Sequence, residues 1–218
     1  MSEANPPPDD SGCPHDEQTR ADARRSQILA AASECFRSRG FHGASISQIS
    51  RACGMSAGHI YHYFDSKEAI IAAIVARDVD RIFKLTEDLR AAPDMLDALV
   101  AGVEQALVDN SDPSVTGIKL EILAEAARNP QIAATVQAAD RLCLANLSDL
   151  LRPLRAAAGH GDSDDELDAI SETMAALFDG LLVRAARNPD ADVHRLAHVY
   201  REAVRFLIVD VPGRARSG

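Results

Sequence analysis

The residues best suited to specific polar contacts lie between Ser45 and Lys67, in the run SISQISRACGMSAGHIYHYFDSK. Steps of about 100° per residue put Ile60 and Phe64 on one side of a short helix. Gly58 and His62 fall on the other side, flanked by His59 and Tyr61. This outward face carries donors, acceptors and aromatic rings but no carboxylate. Gly58 lets the backbone approach a surface closely. An apolar back with an acid-free polar front suits insertion into the major groove of DNA. An ordinary helical hairpin with a mixed solvent face has the same pattern.

Two other constellations could do chemistry. His194, His198 and Glu202 recur every four residues, an arrangement that can hold a metal. Arg195, Arg201 and Arg205 crowd the same surface, and like charge discourages a cation, so a solvated face is expected, with no metal and no cofactor. Glu121 and Glu125 interrupt an otherwise apolar helix. They face solvent with Arg128 as a partner, or they line a pocket. Asp179, between Phe178 and Gly180, is a third acid in apolar surroundings. No GxSxG, HExxH, Walker-type or GxGxxG stretch occurs, and the chain is not expected to be an enzyme.

The elements that position these residues are legible. Ser45 with Gln48 reads as a capping box at a helix start. Ile46, Ile49 and Cys53 form its apolar stripe, and Gly54 ends it in a left-handed cap. Ser56 then caps a second short helix through about Phe64, which makes a helix–turn–helix. A preceding helix is expected from Asp22 to Arg39, buried along Ile28, Ala32, Cys35 and Phe36 and stopped by Gly40. Asp65 or Ser66 caps a long helix that reaches about Arg90. Lys67 falls in its first turn, where a cation opposes the helix dipole, so its placement points to an outside anion.

The rest of the chain reads as helices. After Pro93 one runs to about Asp109, and another covers roughly Ser114 to Arg128, apolar on most of its circumference. Asn129-Pro130 precedes a helix to about Leu151, and GHGDSDD (159–165) is a polar loop. The last two helices, Glu166 to Arg187 and Asp192 to Val209, carry broad apolar seams at three-four spacing. Such seams close the chain's own core or pair with a symmetry mate.

The 218-residue chain has net charge −10, four cysteines and no tryptophan. Seven Lys/Arg against three acids between Arg20 and Lys67 leave that segment at +4, and the remainder at −14. A basic head on an acidic body limits non-specific DNA binding while keeping a local phosphate footprint. No run is long enough to span a bilayer. The acidic, proline-rich beginning does not read as a secretory signal, so a cytoplasmic location is expected. Cys13, Cys35, Cys53 and Cys143 show no metal or disulfide spacing. Cys35 and Cys53 read as core residues and Cys143 as the one candidate for redox sensing.

The run GFHGASISQISRACGMSAGHIYHYFDSKEAII resembles the N-terminal signature of the TetR family of transcriptional repressors. The matching residues are Gly40, Phe41, Ser45, Ile49, Gly54, Ser56, Gly58, Tyr61, Tyr63, Phe64, Ser66, Lys67 and Glu68, within about residues 22 to 75. Ala44 and His59 depart from it, where the family often has threonine and a small hydroxyl residue. The resemblance implies a homodimeric repressor, released from a palindromic operator by a small hydrophobic ligand. Base readout is expected from Ser47, Ala57, Gly58, His59 and His62. Phosphate positioning is expected from Ser45, Tyr61, Tyr63 and Lys67, with Arg24, Arg25 and Arg51 as weaker candidates. In the family that lysine contacts a phosphate, and the last two helices form the dimer interface. Carried over, the interface would use Leu177, Phe178, Leu181, Leu182, Tyr200, Val204 and Leu207. Glu121, Glu125 and Asp179 are candidate ligand contacts, which favours an amphipathic cation.

The expected fold is all-α: a disordered tail (1–19), a three-helix helix–turn–helix DNA-binding domain (20–66), a helical ligand-binding and dimerisation domain (67–210) and a second disordered tail (211–218). The expected partners are double-stranded operator DNA, a small-molecule inducer and a second copy of the chain, with no membrane. The alternative is an all-helical metal- or ligand-binding protein with a non-specific DNA-binding head.

Overall fold

The computed structural model describes residues 14–212, which form helices and no strand. The first helix, α1 (Pro14–Gly43), begins earlier than its apolar stripe suggests. Residues 14–19 are thus helical rather than part of a tail, while residues 1–13 and 213–218 lie outside the described residues. The break falls at Gly40, whose φ of 73° and ψ of 163° are open to glycine and costly for a residue with a Cβ. Ile28, Ala32 and Phe36 are fully buried along α1.

Helix α2 (Ile46–Cys53) opens on a complete capping box. The Ser45 hydroxyl accepts from the Gln48 N–H, and the Gln48 side chain accepts from the Ser45 N–H. Gly54 closes it with φ 67°. Ser56 caps α3 (Ala57–Tyr63) by accepting from the His59 N–H at 3.1 Å. Of the two candidate caps for the long helix α4 (Lys67–Arg90), Ser66 is the one used.

The body contains α5 (Met95–Ser111), α6 (Pro113–Ala126), α7 (Pro130–Ala157), α8 (Asp164–Arg187) and α9 (Val193–Val209). Helix α7 runs through Pro153 and ends at Ala157 rather than near Leu151. Proline removes one N–H, but the turn beyond it is anchored by the fully buried Arg155. Its guanidinium donates to the carbonyls of Leu207 (2.8 Å), Ile208 (3.2 Å) and Val211 (2.9 Å) and pairs with Asp162, so it caps the end of α9.

Two apolar cores result. One joins α1 to α4 and recruits Ile118 and Ile122 from α6 and Ile132 from α7. The other packs α5, the second half of α7, α8 and α9 around Leu107, Leu151, Leu167, Val204 and Ile208. Packing therefore does not divide at residue 66: α6 helps to close the core of the head.

Candidate nucleic-acid interface

Three contacts set the helix–turn–helix in place. Gln27 on α1 donates to the Cys53 carbonyl at 2.9 Å and so caps the end of α2. The Met55 N–H donates to the Ser50 carbonyl at 3.1 Å, and the Ser50 hydroxyl donates back to the Met55 carbonyl, which locks the turn. Ile49, Ile60 and Phe64 are buried between the helices. The opposite face of α3 is then presented to solvent: Gly58, His59, Tyr61 and His62 are exposed, and Ala57 and Tyr63 are half-buried. The Tyr63 ring lies edge-on to both His59 (5.4 Å) and His62 (5.2 Å), which ties these side chains into one aromatic group. Ser45 and Ser47 are exposed at the start of α2.

The basic side chains divide into two kinds. The Arg25 guanidinium lies 4.5 Å over the Phe64 ring, and Arg24 donates to Gln27 at 3.2 Å, so both flank the motif. Lys67 has partners within the head. Its ammonium donates to the carbonyls of Phe41 (2.6 Å) and Ala44 (3.0 Å) and lies 4.3 Å from the Phe41 ring centre. These carbonyls, left open by the break at Gly40, account for a cation in the first turn of α4, and no outside anion is needed to explain it. The residue ties the end of α1 to the start of α4.

The paired acids find partners on both sides. Glu121 accepts from the Phe41 N–H at 2.6 Å. Glu125, 1% exposed, pairs with Arg128 at 2.6 Å and with His42 at 3.2 Å. Both face the head, not a cavity of the body. Arg128 is the partner that the sequence offers, three residues on; Phe41 and His42 lie about eighty residues earlier, where the periodicity of α6 could not reveal them. The same helix face approaches α1 so closely that a Cβ at Gly117 would sit 2.7 Å from the Arg37 stem.

Asp179 behaves differently. It is exposed, yet crowding by surrounding protein pushes its carboxyl pKa up; the Asp140 carboxylate adds to this and Lys119 opposes it. Burial likewise raises the Cys143 thiol, aided by Asp140 and Asp78, which lowers its thiolate fraction and weighs against redox sensing. Cys35 and Cys53 are buried, as their stripes suggest, and Cys13 lies outside the described residues. His194 and Arg201 both hold Glu104 of α5, a partner that the α9 pattern could not show.

The seam residues on α8 and α9 divide by burial. Leu181, Leu182 and Val204 are buried within the subunit's own core. Leu177, Phe178, Tyr200 and Leu207 are half-buried, with the Tyr200 hydroxyl donating to the Leu177 carbonyl at 3.2 Å. The apolar surface left open is a different stripe. Ala176, Gly180 and Val183 are exposed on α8, as are Val199 and Phe206 on α9, with Phe206 55% exposed. Its small residues gave a weaker signal than the leucine-rich seam beside it.

Residues 28–74 match the family described as bacterial regulatory proteins, tetR family, and residues 93–209 match the C-terminal part of BetI-type transcriptional repressors. The HTH-type transcriptional regulator UidR of Escherichia coli K12 is 36% identical over 124 residues, which is 55% of this chain. The matched region spans 60% of the length of UidR. The HTH-type transcriptional repressor Rv1474c of Mycobacterium tuberculosis is 32% identical over 186 residues, 81% of this chain and 89% of that protein. The structure of Salmonella enterica GusR superposes with a TM-score of 0.70 at 28% identity, over 85% of this chain and 95% of that one. No helix among the described residues is long and apolar enough to cross a membrane.

Proposed function

Because the chain belongs to the TetR family of transcriptional regulators, we propose that it is a cytoplasmic, homodimeric repressor that a small molecule releases from a palindromic operator. The observation that carries this reading is the α3 face: Gly58, His59, Tyr61 and His62 are exposed without a carboxylate, while Ile60 and Phe64 are buried behind them. Each subunit places α3 in the major groove. His59 and His62 read base edges, and Ser45, Ser47, Tyr61 and Tyr63 position the backbone. Lys67 orients the motif from behind, with at most a secondary phosphate contact.

The inducer acts through α6. One side of this helix holds the head through Gly117, Glu121 and Glu125, while Lys119 lies within electrostatic reach of Asp179 and Cys143 in the body. A ligand that binds one position of α6 better than another therefore shifts the spacing of the two heads. Asp179 and Asp140 favour an amphipathic cation in the body.

The deciding experiment selects binding sites from random duplexes. A palindrome should emerge, with half-sites about one helical turn apart or slightly more. His62→Ala should lose preference at one position per half-site, worth about 1–3 kcal/mol against the wrong base. Equal binding to all duplexes would sink the repressor reading in favour of a non-specific DNA-binding head.

A further inference from the structure

The outward face of α3 carries two imidazoles and no acid. His59 and His62 are both exposed, and no Asp or Glu occurs from Ile46 to Tyr63. Neither imidazole has a hydrogen-bond or ion-pair partner among the described residues; both make ring contacts alone. The contacts with Tyr63 restrict their rotamers, so the two rings present a defined pair of polar edges. Their centres stand 6.4 Å apart, more than one base-pair step of ~3.4 Å, so they address different base pairs.

Histidine is the side chain whose charge changes between about pH 5 and pH 8. The charged and titratable residues flanking α3 are Arg51 of α2, Arg24 and Arg25 of α1, Asp65 in the turn that follows, and Lys67 and Glu68 at the start of α4, with Tyr61 and Tyr63 on α3 itself. None of them hydrogen-bonds or ion-pairs with either imidazole, so no carboxylate holds the charged form in the free protein. Duplex DNA supplies the missing anion. A nearby negative charge favours the imidazolium, and phosphates flank the groove that α3 enters. An imidazolium has two N–H donors and no acceptor. Guanine answers it with two adjacent acceptors, N7 and O6. Adenine sets a donor beside its N7, cytosine presents a donor, and thymine pairs one acceptor with a methyl group.

We propose that each operator half-site carries guanines read by the protonated forms of His59 and His62, so that specific binding takes up protons and strengthens as pH falls. The sign follows from linkage: the DNA-bound protein holds these protons more tightly than the free protein, and lowering the pH therefore favours the complex. Acidification then acts on the repressor at its DNA-binding face, independently of an inducer in the body. This base identity rests on the repressor reading and makes it specific.

The test takes the palindrome selected from random duplexes and measures its affinity for the full chain, relative to a scrambled duplex, at about pH 6 and about pH 8 and constant ionic strength. Wild type should gain about tenfold or more in that ratio at the lower pH. Replacing the guanines with 7-deazaguanine, which keeps O6 and lacks N7, should lose about tenfold at the lower pH and reduce the pH dependence. His62→Gln should move the preference at its position from guanine to adenine, the base that an amide reads bidentately. His62→Lys should keep guanine and lose its share of the pH dependence, and the same two changes at His59 should act on a second position. Both histidines are exposed, so unchanged thermal melting separates lost readout from lost fold. The proposal alone is overturned if the positions sensitive to His59 and His62 lack guanine, if the wild-type ratio is the same at both pH values, or if the 7-deazaguanine operator binds like the natural one. Equal binding to all duplexes would overturn the repressor reading and the proposal with it.

Discussion

The Glu121 carboxylate accepts from the Phe41 backbone N–H at 2.6 Å, and one of its oxygens lies 3.3 Å from where a Cβ on Gly40 would stand. A side chain of the body thus caps the backbone where the first helix of the head breaks. With Glu125 on His42 and Lys67 on the Phe41 and Ala44 carbonyls, the short turn after Gly40 is held from both sides. The position of the DNA-binding head relative to α6 is set by these few polar contacts together with the shared apolar core.

Removing the carboxylate at Glu121 should loosen that hold. Glu121→Ala is expected to cost about 1.5–3 kcal/mol, the range for a hydrogen bond to a charged group. Glu121→Gln keeps an acceptor and should cost less. Amide exchange at Phe41 reads the contact directly, and protection equal to wild type in Glu121→Ala would rule it out.

Lys67→Ala should destabilise the head as well as weaken DNA binding, because it strands the Phe41 and Ala44 carbonyls. The loss of DNA affinity should be similar for all sequences. The salt dependence should change by less than the roughly one unit of slope that a full phosphate contact contributes. A full unit of lost slope with unchanged melting would instead make Lys67 a phosphate contact.

The two faces of α8 and α9 should respond differently to charge. Val183→Arg or Phe206→Arg, on the exposed stripe, should give folded monomers that lose operator binding. Leu181→Arg buries a charge in the subunit core and should prevent folding. Sedimentation and circular dichroism separate the two outcomes. Folded dimers from Phe206→Arg and Val183→Arg would place the interface elsewhere.

Asp179 should make stability fall as pH rises. Its folded carboxyl titrates above the ordinary value of 3.8, so the folded state holds the proton more tightly than the unfolded one. The stability associated with the protonated form is therefore full below 3.8 and is lost as pH climbs through the raised folded value. Asp179→Asn should melt higher than wild type at neutral pH, and the difference should vanish near pH 3.8. The same variant should lose any preference of decyltrimethylammonium over decanol in releasing the operator. An unchanged preference would remove Asp179 from the inducer site.

Local chemistry made the helix–turn–helix readable from the sequence. The capping box of Ser45 and Gln48, the left-handed Gly54 and the Ser56 cap each act within a few residues, and helical spacing then assigns Ile60 inward and His62 outward. The helical body was legible for the same reason, although α7 outran its expected end because Arg155 anchors it from a distance. Periodicity finds an apolar stripe but not what covers it. Helical spacing leaves Glu121 and Glu125 open to solvent or to a pocket, and the fold sets them against Phe41 and His42 of the head; it likewise sets Lys67 on the Phe41 and Ala44 carbonyls. Leu181 and Val204 made the stronger seam because the subunit buries them itself, which leaves Val183 and Phe206 outside. Which charges meet, and which of two apolar stripes stays open, depends on partners far away in the chain, and only the packed tertiary structure supplies them.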